Sequence, residues 1–253
     1  MPAPPPAMYG INVLENAILL MTPDGPVTGK GTDRLVDRDV GLECEDQDVT
    51  GTRTWHADLG IGTLPEVDSW LFDGSNFTGE LLTLESSPDN AAWTPRATIT
   101  PTEDGPQRVT FTALVSPRYW RWTVVDPSLP LKFTEVFISK QITLRWKPSF
   151  QGLREPQIPN LVVIESLSGR TFAAQVGERR WSTQYVMPYS PDTDRLLILE
   201  FLDAILDGAL PFWLLTVTNE KRWVRMAGDV DFQAADRSLA QWDIPLTFVQ
   251  ELP

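Results

Sequence analysis

The sequence predicts a mostly β protein whose second half adds one helix to a set of strands. The 22 prolines and 16 glycines separate short runs rich in β-branched and aromatic residues, which is typical of strands joined by turns. Within most of these runs apolar and polar residues alternate, as in half-buried strands. Near residue 200 the apolar period changes to that of a helix. The fold class predicted is therefore β plus α+β.

Composition excludes several classes of protein. The chain of 253 residues carries a net charge of −13, which argues against binding of a nucleic-acid backbone. No run approaches the eighteen apolar residues of a transmembrane helix, so we expect no membrane insertion. Cys44 is the only cysteine, which excludes an intrachain disulfide and a thiolate zinc cluster. Residues 1–10, MPAPPPAMYG, read as a proline-rich arm and not as a signal peptide.

Residues 11–140 predict a first domain built from strands. Residues 12–23 predict an opening strand or a short turn of helix, and the acidic segment 29–51 predicts long loops. Short strands separated by turn residues then follow at a spacing typical of an all-β sandwich or barrel. The predicted strands are 54–60, 69–74, 81–87, 96–100, 107–114, 115–126 and 133–140.

The strand VSPRYWRWTVVD, residues 115–126, is the most informative of these runs. Alternation places Tyr119, Arg121 and Thr123 on one face, and the opposite face consists of Trp120, Trp122 and Val124. Because arginine is rarely buried unpaired, we expect Arg118 and Arg121 to pair with carboxylates such as Asp58 or Glu135.

Residues 141–253 predict a second domain of the α+β class, with one helix on a sheet. Strand-like runs occupy 142–146, 160–166, 171–176 and 180–189, with Ser168-Gly169 as a hairpin turn. Residues 191–208 predict the helix, with Asp192 or Asp194 as N-cap and Gly208 at the C′ position. Its predicted apolar stripe consists of Leu196, Leu199, Leu202 and Ile205, with Ile198, Phe201 and Leu206. Three further strands follow the helix.

Four motifs in the first domain, in order, resemble the discoidin-like (F5/8 type C, galactose-binding-like) jelly roll. DRLVDRD (33–39) resembles the family's aspartate turn, and TWHADLG (54–60) resembles its tryptophan-to-DLG strand. LESSPDNAAW (84–93) resembles an S-x-D-x-x-x-W hairpin. RYWRWTVVD with TEVFI (134–138) resembles the R-Y-x-R strand and the closing strand. The paired terminal cysteines of extracellular members are missing.

This resemblance implies a binding module and not a catalyst, because members commonly bind sugars or lipids through loops at one end of the barrel. Trp93, Arg96 and Asp37 are the candidates for a carbohydrate-binding face, since aromatic and polar groups converge in such sites. The structural alternative is that Trp93 closes a hairpin and packs on its own sheet.

The second domain resembles, as an architecture only, the tail-tube fold of long-tailed bacteriophages, which has two packed sheets flanked by one helix. Together the two resemblances imply a distal tail or baseplate protein that forms a homo-oligomeric ring. Its partners would be tail-tube, tape-measure and hub proteins, and the jelly roll would bind a host-surface glycan. It would be made in the bacterial cytoplasm and reside in the virion tail. The alternative is a non-viral carbohydrate-binding module without catalytic activity.

Residues that suggest other chemistry are few. His56 is the only histidine, and no G-x-S-x-G elbow accompanies it, so a hydrolase is the least favoured class. Cys44 lies between two glutamates, which makes it a poor thiolate. Asp46 and Asp48 match the start of an EF-hand loop only in part, so a calcium loop there is a weak alternative to a solvated acidic loop. No motif predicts a cofactor.

Overall fold

The computed structural model describes residues 6–23, 25–62, 64–144, 157–158, 161–165, 171–175, 180–206, 208–216, 218–228, 230–236 and 240–251. It is mostly β with one α-helix, which confirms the predicted fold class. The chain divides into two compact units, Tyr9–Ile142 and Thr143–Leu252, and the second of these also includes Met1–Met8. Within the proline-rich segment 1–10, Ala7–Tyr9 is a buried strand of a sheet.

The strands are numbered along the chain. Up to residue 143 they are β1 (Ala7–Tyr9), β2 (Ile18–Thr22), β3 (Cys44–Glu45), β4 (Thr52–Asp58), β5 (Val67–Ser75), β6 (Leu82–Ser87), β7 (Thr94–Ile99), β8 (Gln107–Val115), β9 (Tyr119–Val125), β10 (Lys132–Ser139) and β11 (Ile142–Thr143). Later strands are β12 (Gln157–Ile158), β13 (Leu161–Glu165), β14 (Thr171–Gln175), β15 (Arg180–Pro191), β16 (Phe212–Leu215), β17 (Lys221–Met226), β18 (Gln233–Asp236) and β19 (Gln241–Gln250). The α-helix is α1 (Asp192–Ala204), and a 3-10 helix spans Thr32–Leu35.

The first unit is a sandwich of two antiparallel sheets. One sheet has five strands in the order β2-β4-β9-β6-β7, and the other has four in the order β3-β10-β5-β8. Strands that are neighbours in sequence often lie in different sheets, as they do in a jelly roll. All seven strands predicted between residues 54 and 140 are present, and their bounds differ from the prediction by a few residues at most.

Aromatic side chains from both sheets fill the space between them. Trp55 of β4 meets Phe133 of β10 edge to face, with ring centroids 5.0 Å apart. Phe111 of β8 stacks on Trp120 of β9 at 5.9 Å. Such pairs add to the free energy gained by burying apolar area. The two sheets therefore share one hydrophobic core.

Strand β9 has the two faces that its alternation predicts. Trp120, Trp122 and Val124 are buried in the core, whereas Tyr119 and Arg121 are only half-buried on the outer face of the five-stranded sheet. The faces of this strand were thus predictable from the period of two alone.

The burial of three ionisable side chains in the first unit, Arg53, Asp46 and Glu135, was not anticipated. The guanidinium of Arg53 on β4 is bound by both carboxylate oxygens of Asp46, and both side chains are fully buried. Glu135 on β10 is also fully buried. Burial and the nearby charge of Asp37 raise the pKa of Glu135 well above its ordinary value. Arg121, for which the sequence suggested carboxylates such as Asp58 or Glu135, pairs instead with Glu85 of β6.

The second unit contains an eight-stranded sheet and a separate hairpin. The larger sheet runs β11-β1-β16-β17-β19-β15-β12, with β18 also paired to β19, and β13 and β14 form the two-stranded hairpin. Helix α1 contacts the two longest strands, β15 and β19, which is the predicted arrangement of one helix on a sheet. Among the described residues, no helix is long and apolar enough to cross a membrane. The predicted turn at Ser168-Gly169 lies outside the described residues.

The helix is shorter than predicted, and its buried stripe differs. Ile198 and Phe201 are buried within it, followed by Ile205 just beyond its end, a spacing that places all three on one face. Leu196, Leu199 and Leu206 were predicted to belong to the stripe but are exposed by 53%, 38% and 63%. Counting apolar residues gave a stripe that is too wide, since leucines occur on both faces.

The ends of the helix also differ from the prediction. The N-cap residue is Pro191, which makes no side-chain capping bond, and Asp192 instead accepts a hydrogen bond from Arg195 within the first turn. At the other end Leu206 adopts φ 51°, and Gly208 follows with φ 90°. The left-handed position directly after the helix is therefore occupied by leucine, with the glycine two residues later.

Candidate functional site

The outer face of the five-stranded sheet carries a cluster of aromatic, charged and amide side chains around Trp93. The cluster draws on β4, β6, β9 and the loop that joins β6 to β7. We call it the Trp93 patch, and its members are His56, Glu85, Asn90, Trp93, Tyr119 and Arg121.

Strand register places three of these residues side by side. His56 of β4 lies opposite Arg121 of β9, and Arg121 lies opposite Glu85 of β6. Residues paired in this way have Cβ atoms about 5 Å apart, so their side chains are in contact range. The Nε of Arg121 donates a hydrogen bond to Glu85 Oε2 at 2.6 Å. The row therefore contains a fixed ion pair with a histidine beside it.

Trp93 lies over this row. The guanidinium carbon of Arg121 is 4.2 Å from the centre of the Trp93 ring, a stacking distance for a cation on an indole. The His56 ring meets Trp93 edge to face at 5.5 Å. Trp93 is only half-buried. The indole is therefore packed against Arg121 and His56 and keeps part of its surface exposed.

The loop between β6 and β7 is held in shape by its own hydrogen bonds. The Asp89 carboxylate accepts from the backbone N–H groups of Ala91 and Ala92 and from the Ser87 hydroxyl, which together lower the pKa of Asp89. Asn90 adopts φ 61°, a left-handed conformation that asparagine tolerates better than most residues. Its Oδ1 lies 2.9 Å from His56 Nε2. The loop thus fixes both Asn90 and Trp93 over the sheet.

A second ion pair borders the patch. Arg118 donates through Nε and Nη2 to the two oxygens of Asp58 at 2.7 and 2.8 Å, which confirms one of the predicted pairings. Hydrogen bonding from Arg118 lowers the pKa of Asp58 to about 2. The same guanidinium lies 4.7 Å from the centre of the Tyr119 ring. Both arginines at this face are therefore neutralised by a neighbouring carboxylate and stacked on an aromatic ring.

Trp93, Arg96 and Asp37, predicted to form one site, have different surroundings in the structure. Trp93 belongs to the patch. Arg96 is half-buried on β7 and donates from Nε to the Ser86 hydroxyl at 2.7 Å. Asp37 follows the 3-10 helix, which contacts β10, β2 and β3. Its Oδ1 accepts from the backbone N–H of Asp39, and burial raises its pKa. None of the contacts that the structure gives Asp37 joins it to the Trp93 patch.

Sequence reasoning did not assign His56, Glu85, Asn90 or Arg121 to a binding site. Alternation along β4 and β9 could have placed His56 and Arg121 on the outer face. Their adjacency depends on the cross-strand register, which single-strand patterns do not contain. The position of Asn90 depends on the conformation of its loop.

The arrangement does not match the metal and nucleophile chemistries considered from the sequence. Within the described ranges, no group of three or more His, Cys, Asp or Glu side chains is placed to hold a metal ion. Both oxygens of Asp46 bind Arg53, and Asp48 accepts from the backbone N–H groups of Val49 and Thr50. The Asp46 carboxylate is thus engaged by Arg53, an arrangement that favours a structural role over the calcium interpretation.

Cys44 and His56 do not form a catalytic pair. Burial raises the pKa of Cys44 to about 12, with smaller contributions from the charges of Asp46 and Asp33, so the thiol stays protonated. The Nε2 of His56 is bonded to the amide oxygen of Asn90 and not to a hydroxyl or thiol. At this position the described residues offer no activated nucleophile.

Comparison with known proteins gives structural matches that cover about half of the chain. No protein-family model and no curated protein matches the sequence. A chitosan-binding module 1 derived from a chitosanase/glucanase of Paenibacillus sp. IK-5 matches with 16% identity and a TM-score of 0.44, covering 50% of this chain and 97% of that one.

Two further solved structures that match are both described as CBM32 modules. CBM32-1 from a family 31 glycoside hydrolase of Clostridium perfringens matches with 15% identity and a TM-score of 0.41, covering 50% and 99% of the two chains. The CBM32 of AlyQ, in complex with 4,5-unsaturated mannuronic acid, matches with 19% identity and a TM-score of 0.39, covering 52% and 96%. At these identities and TM-scores, the function of this chain has to be inferred from its own residues.

Proposed function

We propose that the unit Tyr9–Ile142 is a carbohydrate-binding module and that the Trp93 patch is its binding site. The observation that carries this proposal is the half-buried indole of Trp93, supported on one face by the guanidinium of Arg121 at 4.2 Å. A sugar ring has an apolar face of C–H groups, which stacks on an aromatic ring, and a rim of hydroxyls, which need hydrogen-bond partners. Both requirements are met at this patch.

The polar members of the patch suit the hydroxyl rim. Glu85 and Asn90 carry oxygens that accept from sugar hydroxyls, and Arg121 uses its Nε for Glu85, so that its terminal amino groups are its remaining donors. His56 is held in place by Asn90. Because the loop and the ion pair already fix these groups, little side-chain entropy would be lost on binding.

Glycan-array screening of the full chain, followed by titration calorimetry on the strongest match, tests this proposal. Trp93→Ala should weaken binding at least about tenfold, because truncating a tryptophan anchor typically costs about 2 kcal/mol or more. Tyr189→Ala is the matched control, since Tyr189 is an aromatic residue that is 64% exposed outside the first unit. An equal loss of affinity in both variants, or unchanged affinity in Trp93→Ala, would refute the assignment of the patch as the binding site.

We further propose that the second unit forms a homo-oligomeric ring in the tail tip of a long-tailed bacteriophage, as a distal tail or baseplate protein. Helix α1 on β15 and β19 favours this proposal, because one helix against long antiparallel strands is the arrangement expected of a tail-tube-like domain. The protein would then be made in the host cytoplasm and built into the virion tail. Its neighbours would be tail-tube, tape-measure and hub proteins, and its jelly roll would bind a host-surface glycan.

Light scattering and negative-stain images of the full chain test the ring. The proposal expects a closed cyclic oligomer, whose heterologous contacts leave no free end. A chain that stays monomeric at high concentration, also when mixed with a tail-tube protein, would contradict it. Glycan binding by such a monomer would favour the alternative of a non-viral carbohydrate-binding module.

A further inference from the structure

A continuous row of threonines crosses the outer face of the five-stranded sheet beside the Trp93 patch. Every strand contributes one member, and adjacent members are direct cross-strand partners. We call this set the threonine row, and in spatial order it consists of Thr22 (β2), Thr54 (β4), Thr123 (β9), Thr83 (β6) and Thr98 (β7).

The hydroxyls of the row are available to a ligand. All five side chains lie on the solvent side of the sheet, since their neighbours along each strand, such as Trp55 and Trp122, are buried. None of the five hydroxyls has a hydrogen-bond partner among the described residues. Each is both a donor and an acceptor, so the row offers a line of groups complementary to the hydroxyls of a sugar chain.

The row is open at both ends. Its first and last members, Thr22 and Thr98, belong to the two edge strands of the sheet and are both exposed. With strands about 4.8 Å apart, the five residues span roughly 19 Å. The repeat between strands is close to the length of one sugar residue in an extended chain. A linear glycan would thus meet a hydroxyl at each residue and continue past either edge.

The row adjoins the Trp93 patch directly. Thr54 and Thr123 lie two residues along their strands from His56 and Arg121, a distance of about 7 Å. The charged side chains beside the row, Arg121 and Glu85, neutralise each other as an ion pair. The chain as a whole carries a net charge of −13, which disfavours a polyanion. The groups on this face therefore suit a neutral glycan.

We propose that the module binds an internal segment of a neutral linear polysaccharide, which lies across the strands along the threonine row while one residue contacts Trp93. The proposal rests on the proposed carbohydrate-binding function and adds two statements to it. The ligand is a chain and not a terminal sugar, and the hydroxyls of Thr54, Thr83 and Thr123 contribute to its affinity.

The proposal is tested by measuring the affinity of the full chain for several series of oligosaccharides, each running from monosaccharide to hexasaccharide. The probes are β-1,4-linked glucose and N-acetylglucosamine, α-1,4-linked galactose, and β-1,4-linked mannuronic acid as the acidic series. Affinity for at least one neutral series should rise with length until the row is filled. Thr54→Val and Thr123→Val should each weaken binding of the longest oligomer about two- to tenfold, the effect of losing one hydrogen bond, and leave monosaccharide binding unchanged.

Valine preserves the shape and the strand preference of threonine while removing the hydroxyl, so these variants should fold normally. Thr112→Val is the matched control, because Thr112 is an exposed threonine on β8 in the other sheet. An affinity that does not depend on length, a preference for the acidic series, or equal effects of Thr123→Val and Thr112→Val would overturn the proposal. In that case loss of binding in Trp93→Ala would still support the module. No binding to any series would refute this proposal, whereas the module itself would be refuted only if no glycan on the array bound.

Discussion

The buried ion pair between Arg53 and Asp46 should dominate the stability of the jelly-roll unit. Both side chains are fully buried, and Arg53 Nε lies 2.7 Å from Asp46 Oδ2. Arg53→Met leaves the Asp46 carboxylate buried without its cation, which typically costs about 3–5 kcal/mol. For a unit of this size, that corresponds to a fall in melting temperature of roughly 10–20 °C. The double variant Arg53→Met/Asp46→Leu removes both charges and should recover much of the loss.

Urea denaturation of the full chain, followed by tryptophan fluorescence and analysed as a double-mutant cycle, measures these effects. The double variant should stay slightly below the wild type, because Asp46 Oδ1 also accepts from the backbone N–H of Asp48. Added calcium should not stabilise the wild type, since Asp46 is engaged by Arg53. A loss below about 1 kcal/mol in Arg53→Met would contradict the buried pair, and a wild type stabilised by calcium would favour the calcium interpretation.

Three other predictions concern single side chains. Glu135 is fully buried, and burial raises its pKa well above the ordinary value. Its contribution to the free energy of unfolding is therefore fully present at low pH and is lost as pH rises above the ordinary range of glutamate. Glu135→Gln should therefore raise the urea midpoint near neutral pH, with a gain that vanishes below pH 4 or so; an equal gain at every pH would argue against ionisation as the cause. The pKa of Asp58 is lowered, so its effect on stability has the opposite pH dependence. At neutral pH the wild type should be more stable than Asp58→Asn, and this difference in unfolding free energy should disappear as pH falls towards about 2. Phe201→Asp should lower the free energy of unfolding by several kcal/mol, because the Phe201 ring is buried 4.9 Å from that of Phe212. The control Leu196→Asp, at a site that is 53% exposed, should change the unfolding free energy measured by calorimetry very little. Similar losses in the two variants would refute the assigned buried face of the helix.

Sequence patterns predicted the strands and their faces because those depend on local periodicity. The alternation in YWRWTVV already separates Trp120 and Trp122 from Tyr119 and Arg121. The same rule, applied to TRTWHAD, places Arg53 inside with Trp55, so the buried ion pair had a signal in the sequence that was not used. Its partner Asp46 did not, since it lies in an irregular segment.

The site was less predictable because it depends on distances between elements. Trp93 was identified from its type and its hairpin, but grouping it with Asp37 required knowledge of where two loops lie. His56, Arg121 and Glu85 of the Trp93 patch are neighbours only because of the register between β4, β9 and β6. The helix stripe failed for a related reason, since tertiary packing selects which of several leucines is buried.

The central claim, that the Trp93 patch binds carbohydrate, is tested most directly by titration calorimetry of wild type, Trp93→Ala and Tyr189→Ala with the strongest glycan found by array screening. The expected result is saturable binding by wild type and Tyr189→Ala, and affinity at least about tenfold weaker in a folded Trp93→Ala. Wild-type affinity in Trp93→Ala would contradict the claim, as would the absence of any glycan that binds the wild type.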